Sequence, residues 1–404
     1  MTEPRVQTLS SRAGRYIRQP SGYSAFVPAP LPPDPGVNLG RLVPVLSLAD
    51  QAIGRLDGVG RTLPNPELFV AMYVRREAVL SSQIEGTQST LDDVLAYELD
   101  TSRQQLPGDV GEVVNHVAAM SHGLQRLESL PLSNRLIKEI HERLMRDVRG
   151  AERSPGEFRR SQNWIGPGGG TLRDAAFVPP PVHEMEIAMG DLETFLHAPG
   201  GLPRLVHAGL AHAQFETIHP FLDGNGRVGR LLITFLLVHG GVLHRPLLYL
   251  SYFLKRHRSE YYDRLTAVRQ DGDWEGWLDF FLRGVADTAN EATTTAGAIL
   301  ALRDRHRAHA GDLGANGTQL LDYLFAQPLV NVKTVGAALH VSWPTANKLT
   351  RAFAERGILD EATGFRRNRL FRYSSYLALF SDPRPAADAH EPDEVLETTH
   401  LSGA

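Results

Sequence analysis

The chain has 404 residues, 42 Lys and Arg against 46 Asp and Glu for a formal net charge of −4, 42% hydrophobic and 22% charged residues, and no cysteine. The length allows two or three domains with cores of their own, the composition is that of an ordinary soluble globular protein, and the missing cysteines exclude disulfides and thiolate metal sites. The N-terminal MTEPRVQTLSSRAGRYIRQP lacks the apolar region of a secretory signal. The most apolar run, LLITFLLVHGGVL at 231–243, is too short and too polar to span a bilayer, so a buried core helix is expected there. Together these features predict a cytoplasmic protein with no membrane segment.

In chain order, residues 20–44 (PSGYSAFVPAPLPPDPG at their start) are rich in Pro and Gly and are expected to run extended over a surface. From Leu46 to about 150 apolar residues recur at three- and four-residue spacing, which predicts a series of helices: LSLADQAIGRL, PELFVAMYVRREAVLSSQIEG, VGEVVNHVAAMSHGLQRL and NRLIKEIHERLM. Pro64 and Pro66 precede the second of these and Gly86 closes it. The pattern stops over 150–182, where short runs flank a Gly-rich turn and then Pro-Pro-Pro, predicting a small hairpin or flap. Helices resume from HEMEIAMGDLETFLHA through WEGWLDFFLRGVADTANEATTTAGAILALRDRHRAH.

After Gly311-Asp312-Leu313-Gly314, TQLLDYLFAQ, VKTVGAALH, a turn at Val341-Ser342 and PTANKLTRAFAERG predict three helices, and ILDEATGFRRNRLFRY predicts two short strands. This is the order of a winged helix-turn-helix. Thr345, Asn347, Lys348, Thr350 and Arg351 on its third helix, and Arg366, Arg367, Arg369 and Arg372 on its wing, would suit phosphate contacts. Winged helices also dock proteins, and DNA or protein remains open as the partner. Residues 381–404 carry six acids against one arginine, a net of −5 that leaves about +1 for the rest, and are expected to be disordered.

The chemistry concentrates in HPFLDGNGRVGR at 219–230, between an amphipathic helix and an almost wholly apolar one. This is a loop entering the N-terminus of a buried helix. Gly224, Asn225 and Gly226 can adopt positive φ and turn their backbone N–H groups inward as an anion nest, and the helix dipole adds positive charge at the same point. Arg227 and Arg230, three apart, fall on one face of the first turn. Two arginines there oppose the dipole unless an anion is bound, and a phosphate chain is the natural ligand. Asp223 beside such a nest makes sense as a Mg²⁺ ligand alongside phosphates. His219, four residues upstream, is a candidate base, and Phe221 a buried anchor. Glu85 ends its predicted helix, where a carboxylate opposes the macrodipole and suggests a cationic partner from elsewhere in the fold.

The stretch resembles the Fic family motif HxFx(D/E)GNGRxxR at every defined position. SSQIEGT, FRRSQNWIG with its hairpin, and YYDRLTAVR…GDWEGWLDFFL extend the resemblance over roughly residues 20–300. The resemblance implies a mainly all-α fold with a small β-hairpin flap, to which the winged helix-turn-helix is added. The expected divisions are 1–110 for an extended segment and helices including an inhibitory one, 111–300 for a catalytic core, 315–378 for the winged module and 381–404 for the tail. It implies a protein adenylyltransferase (AMPylator) that moves AMP from ATP to a Ser, Thr or Tyr hydroxyl of a target protein or of itself, releasing pyrophosphate. His219 would be the base, Gly224, Asn225 and Gly226 would stabilise phosphate charge, Arg227 and Arg230 would hold the β- and γ-phosphates, and Asp223 would bind Mg²⁺.

Tyr261 and Tyr262 are adenine neighbours by the same resemblance, or core aromatics by the plainer reading. Trp164, Ile165 and Gly166 fall at the base of the flap, where packing is the expectation for the tryptophan. Ser81-x-x-x-Glu85-Gly86 resembles the inhibitory motif (S/T)xxxE(G/N), whose glutamate pairs with the second motif arginine, here Arg230. Alternatives within reach of the same residues are a de-AMPylating hydrolase in which Glu85 orients water, transfer of another phosphate-containing group, and a DNA-binding regulator that uses the core as a nucleotide sensor. Relatives often dimerise, and a homodimer is an open expectation.

Overall fold

A computed structural model describes residues 12–62, 66–99, 107–166, 172, 175–198, 200–363 and 369–381. The acidic tail beyond Ser381, the wing residues Arg366 and Arg367 and most of the flap tip lie outside them. The chain begins with a hairpin, β1 (Gly14–Arg18) and β2 (Ser24–Pro28), paired from Gly14↔Pro28 to Arg18↔Ser24. This differs from the extended run expected at the start of 20–44. The turn closes locally, with Gly22 at φ 94° and its N–H on the Gln19 carbonyl at 2.9 Å. Alternating Phe26 and Val27 then find partners across the ladder.

The expected helices follow in order, with two more among them: α1 (Leu39–Thr62), α2 (Pro66–Ile84), α3 (Leu91–Leu99), α4 (Val110–Arg126), α5 (Asn134–Leu144), α6 (Val182–His197), α7 (Arg204–Ile218), α8 (Asn225–His239), α9 (Ser251–Arg256), α10 (Arg258–Asp271) and α11 (Trp274–Gly311). The two that the sequence reading missed are α3 and α9. Nearly every residue of α7 and α8 is buried, so the junction between them is held from all sides. The run at 231–243 is the core helix expected, and among the described residues no helix is long and apolar enough to cross a membrane. Gly86 takes φ 99° just past the end of α2 and leaves Glu85 at its rim.

The C-terminal module has α12 (Gly314–Ala326), β3 (Leu329–Val330), α13 (Val332–Leu339), α14 (Trp343–Glu355), β4 (Asp360–Glu361), β5 (Phe371–Arg372) and α15 (Ser374–Leu377). Asn331 and Thr334 form a capping box at the start of α13, and the three strands pair in the order β3-β5-β4. Two residues of β3 were too few to read from sequence. The module shares one apolar core with the helices before it. Both described wing arginines are engaged within the chain, Arg372 with Asp92 of α3 at 2.9 Å and Arg369 with Glu361 at 3.4 Å.

Beneath the site, Glu77 of α2 is 3% exposed and accepts hydrogen bonds from the hydroxyl and backbone N–H of Ser251. Burial pushes its carboxyl up to about 7, against the opposing pull of Ser251, Arg230 and Arg76. The folded chain therefore holds this proton between about pH 4.5 and 7 while the unfolded chain releases it. Stability falls as pH rises through that window. Glu77→Gln is expected to flatten part of the fall, with a melting temperature that gains on wild type more at pH 8 than at pH 5. Equal offsets at both pH values would overturn this.

Candidate active site

His219 follows the last turn of α7 in the left-handed conformation (φ 51°, ψ 61°), with its N–H on the Phe215 carbonyl at 2.9 Å. The reversal carries the chain into the loop. Its ring lines a cleft whose wall also includes Glu85, Gly226 and Arg230. Nδ1 is buried, which leaves Nε2 as the outward nitrogen. Burial, with Arg269 adding to it and Glu85 opposing, lowers the His219 pKa to about 4, so the imidazole is neutral at pH 7 and free to accept a proton.

The loop is clamped by residues distant in sequence. Phe221 is fully buried and stacks on His141 with centroids 3.8 Å apart. His141 Nδ1 accepts from the Gly156 N–H at 2.9 Å, so Nε2 carries the proton and donates to the Asp223 carbonyl at 3.1 Å. Arg159 donates to the His219 carbonyl at 3.1 Å, and Asn163 donates to the carbonyls of His219 and Phe221 at 3.2 and 2.8 Å. These three roles were not read from the sequence. FRRSQNWIG was noted as a stretch, but no local spacing marks which of its side chains reach a loop some 60 residues away.

Asn225 does not face a ligand. Its side chain accepts from the Phe221 N–H and donates to the Phe221 carbonyl, both at 2.8 Å. It locks the loop. Of residues 224–226 only Gly224 has positive φ, 75°, because Asn225 and Gly226 already belong to the first turn of α8. The anion seat is thus the N-terminus of α8 rather than a three-residue nest. Asn225→Ala leaves the buried Phe221 N–H without an acceptor, an expected loss of about 1–3 kcal/mol by denaturant unfolding. An unchanged midpoint would show that the loop does not need the amide.

The two arginines diverge instead of sharing a ligand-facing side. Arg227, 3% exposed, bonds Glu112 of α4 at 3.0 Å and approaches Asp223 at 3.6 Å; it is not among the residues lining the cleft. Arg230, also 3% exposed, reaches α2: Nε donates to Ser81 Oγ at 2.8 Å, and Nη2 to the Ser81 carbonyl at 3.0 Å and to Glu85 at 2.8 Å. A Cβ on Gly226 would lie 2.2 Å from Glu85 Oε1, so the carboxylate rests directly on the first turn of α8. Burial would raise the Glu85 carboxyl, but Arg230 outweighs it and holds the carboxyl below its usual value. The cationic partner expected for Glu85 is therefore Arg230.

Asp223 has a third of its side chain exposed; one oxygen accepts from the Gly224 N–H at 2.7 Å and the other meets Arg153 at 3.3 Å. Among the described residues no cluster of three His, Asp or Glu side chains offers an all-protein metal site, so Asp223 would serve Mg²⁺ only as the one carboxylate of a shell completed by phosphates and water. Trp164, Ile165 and Gly166 line the cleft. Ile165 pairs with Phe177 through bonds of 2.9 and 3.0 Å, forming the base of the flap, and the Phe26 N–H of β2 bonds the adjacent Val178 carbonyl at 2.9 Å. Trp164 is 41% exposed, against the packing expected of it, because it lines the cleft instead of entering the core. Tyr262 is likewise 41% exposed, whereas Tyr261 is 1% exposed with its hydroxyl on His212 at 2.9 Å and belongs mainly to the core.

Comparison with known proteins shows what the chain is similar to. Residues 43–125 match the family described as Fic/DOC family N-terminal, and residues 131–237 match the Fic/DOC family. Protein adenylyltransferase Fic of Aedes aegypti is 35% identical over 153 residues, 37% of this chain and 26% of that protein. The protein of the same name from Drosophila willistoni is 30% identical over 211 residues, 50% of this chain and 38% of that one. The chain thus spans well under half the length of these relatives. The crystal structure of a Fic family protein from Desulfovibrio desulfuricans G20 has the same fold, with a TM-score of 0.55 at 22% identity over 82% of this chain and 95% of that one.

Proposed function

From the matches of residues 43–125 to the Fic/DOC family N-terminal model and of 131–237 to the Fic/DOC family model, we propose that the chain is an autoinhibited protein adenylyltransferase of that family. It transfers AMP from ATP to a Ser, Thr or Tyr hydroxyl of a protein. The observation that carries the reading is that Arg230, at the start of α8, is bonded to an anion, the chain's own Glu85 carboxylate, which rests against Gly226 of the first turn. A helix N-terminus with a buried arginine is a phosphate site, and Glu85 is its internal occupant. The names of the relatives in Aedes aegypti and Drosophila willistoni support the same activity.

In the reaction, the target hydroxyl oxygen attacks the α-phosphorus as its proton passes to His219 Nε2. The bond from the α-phosphorus to the bridging oxygen breaks and pyrophosphate leaves. Arg230 and the α8 N-terminus take up phosphate charge, which requires Glu85 to leave the seat. Asp223 would hold Mg²⁺, whose contribution when bound is to offset charge on the phosphates. His141, Arg159 and Asn163 keep the His219 backbone and the loop rigid, so the base stays aimed.

The test is transfer from ATP labelled separately at the α- and γ-phosphates. Label from the α-phosphate should become covalently attached to protein, and label from the γ-phosphate should not. Attachment of γ-label, or loss of AMP from a modified target with no transfer, would move the assignment to a kinase-like donor chemistry or to the hydrolase.

A further inference from the structure

A second carboxylate stands in the same cleft and has no role in the reaction just described. Glu216 is on α7, three residues before His219, 7% exposed, and lines the cleft with it. Its Oε1 is buried without a hydrogen-bond partner. The close approach of α7 to α8 presses it against Gly229, where a Cβ would fall 2.4 Å from Oε1.

The neighbouring cations do not satisfy it. Arg230 directs its bonds to Ser81 and Glu85. Arg269 bonds the Thr217 hydroxyl at 3.3 Å and the Glu216 backbone carbonyl at 3.4 Å, and lies 4.0 Å over the Phe177 ring. Burial pushes the Glu216 carboxyl up to about 7, which measures how poorly it is compensated. A buried carboxyl with so few partners is unfavourable, and a ligand hydroxyl that donates to it where the side chain lines the cleft gains accordingly.

The position of Glu216 identifies the donor. At one end of the cleft are the α8 N-terminus and Arg230, which suit phosphates. The exposed ring of Tyr262 lines the same cleft. Arg230 for phosphates, an aromatic ring for a base and a carboxylate thus line one cleft. Two nearby arginines disfavour a cationic group there, whereas a carboxylate accepting from a sugar hydroxyl is a recurrent way of recognising ribose.

We propose that Glu216 is a specificity-determining residue of this cleft: its side chain accepts a hydrogen bond from a sugar hydroxyl of the bound nucleotide, so that the site selects ribonucleotides over deoxyribonucleotides. The inference rests on the nucleotide reading above and assigns the part of the ligand that the motif itself does not contact. A site whose buried acceptor is filled by a substrate hydroxyl discriminates strongly against the analogue lacking it.

The experiment measures equilibrium binding of ATP, 2′-deoxy-ATP and 3′-deoxy-ATP to the Glu85→Gly protein, in which the phosphate seat is open. It repeats the three titrations on Glu85→Gly/Glu216→Met, which removes the acceptor with little change in volume. In Glu85→Gly at least one deoxy-nucleotide is expected to bind about tenfold or more weakly than ATP. The Met variant should melt no lower than its parent and bring all three within about twofold of one another. Glu216→Gln, which keeps one acceptor oxygen, should retain part of the discrimination and serves as the second variant if the Met protein does not fold. Equal affinities in Glu85→Gly, or discrimination that survives in a folded Met variant, would overturn the proposal. Failure of ATP itself to bind a folded Glu85→Gly protein would instead overturn the nucleotide reading, and this proposal with it.

Discussion

Glu85→Gly is expected to raise transfer of α-label from ATP by about 10–150-fold, the range given by one lost charge-assisted hydrogen bond of roughly 1.5–3 kcal/mol. The carboxylate rests against Gly226 in the first turn of α8 and bonds Arg230 at 2.8 Å, so it would compete with phosphate for that arginine. Removing it opens the seat without stranding Arg230, because Ser81 still accepts from Nε and Nη2 at 2.8 and 3.0 Å. A third of the Glu85 side chain is exposed, so the loss of stability should be modest. Glu85→Gln separates charge from bulk: it keeps the shape, and its activity should lie between wild type and Glu85→Gly. Parallel melting curves with no gain in transfer by a folded, ATP-binding Glu85→Gly protein would sink the idea of an internal brake.

The second large effect is the loss of the base. His219→Ala in the Glu85→Gly background should lower transfer by about 10²–10⁴-fold, the usual contribution of a positioned general base, while leaving ATP binding close to its parent. The pH dependence carries a further expectation. Burial and Arg269 bring the imidazole to about 4, and Glu85 is the group opposing them. The acid limb of kcat/KM assigned to His219 should therefore fall near pH 4 in wild type. It should move lower still in Glu85→Gly, since the nearby negative charge is gone. Glu216 titrates near 7 in the same cleft and could add a limb of its own. A limb at pH 6–7 that persists in Glu216→Met would contradict a neutral, depressed His219.

Much of this was legible in the sequence where the signal is local. Apolar spacing marked the helices, Gly86 marked the end of α2, and HPFLDGNGR marked a helix end, a turn and a new N-terminus within nine residues. Those features depend on backbone geometry over one or two turns, and glycine and helix termini write them directly into the residue order. The pairing of Glu85 with Arg230 was anticipated through the resemblance of Ser81-x-x-x-Glu85-Gly86 to the inhibitory motif; the helix end by itself asked only for a cation from elsewhere in the fold.

Only the tertiary structure decided which side chains of the motif are left for a ligand. Arg227 and Arg230 lie three apart on α8, yet α4 offers Glu112 to one and α2 offers Ser81 and Glu85 to the other. Asn225 is consumed by the loop it stabilises, and His141, Arg159 and Asn163 grip that loop from elsewhere in the chain. Glu216 reads in sequence as one more polar residue on an amphipathic helix, and becomes an unpartnered acceptor only once α8 closes against it. The physical reason is the same in each case. A hydrogen bond within a turn has a fixed sequence spacing, whereas the partner of a buried charge is whatever the packed helices bring within 3 Å, and no spacing records that.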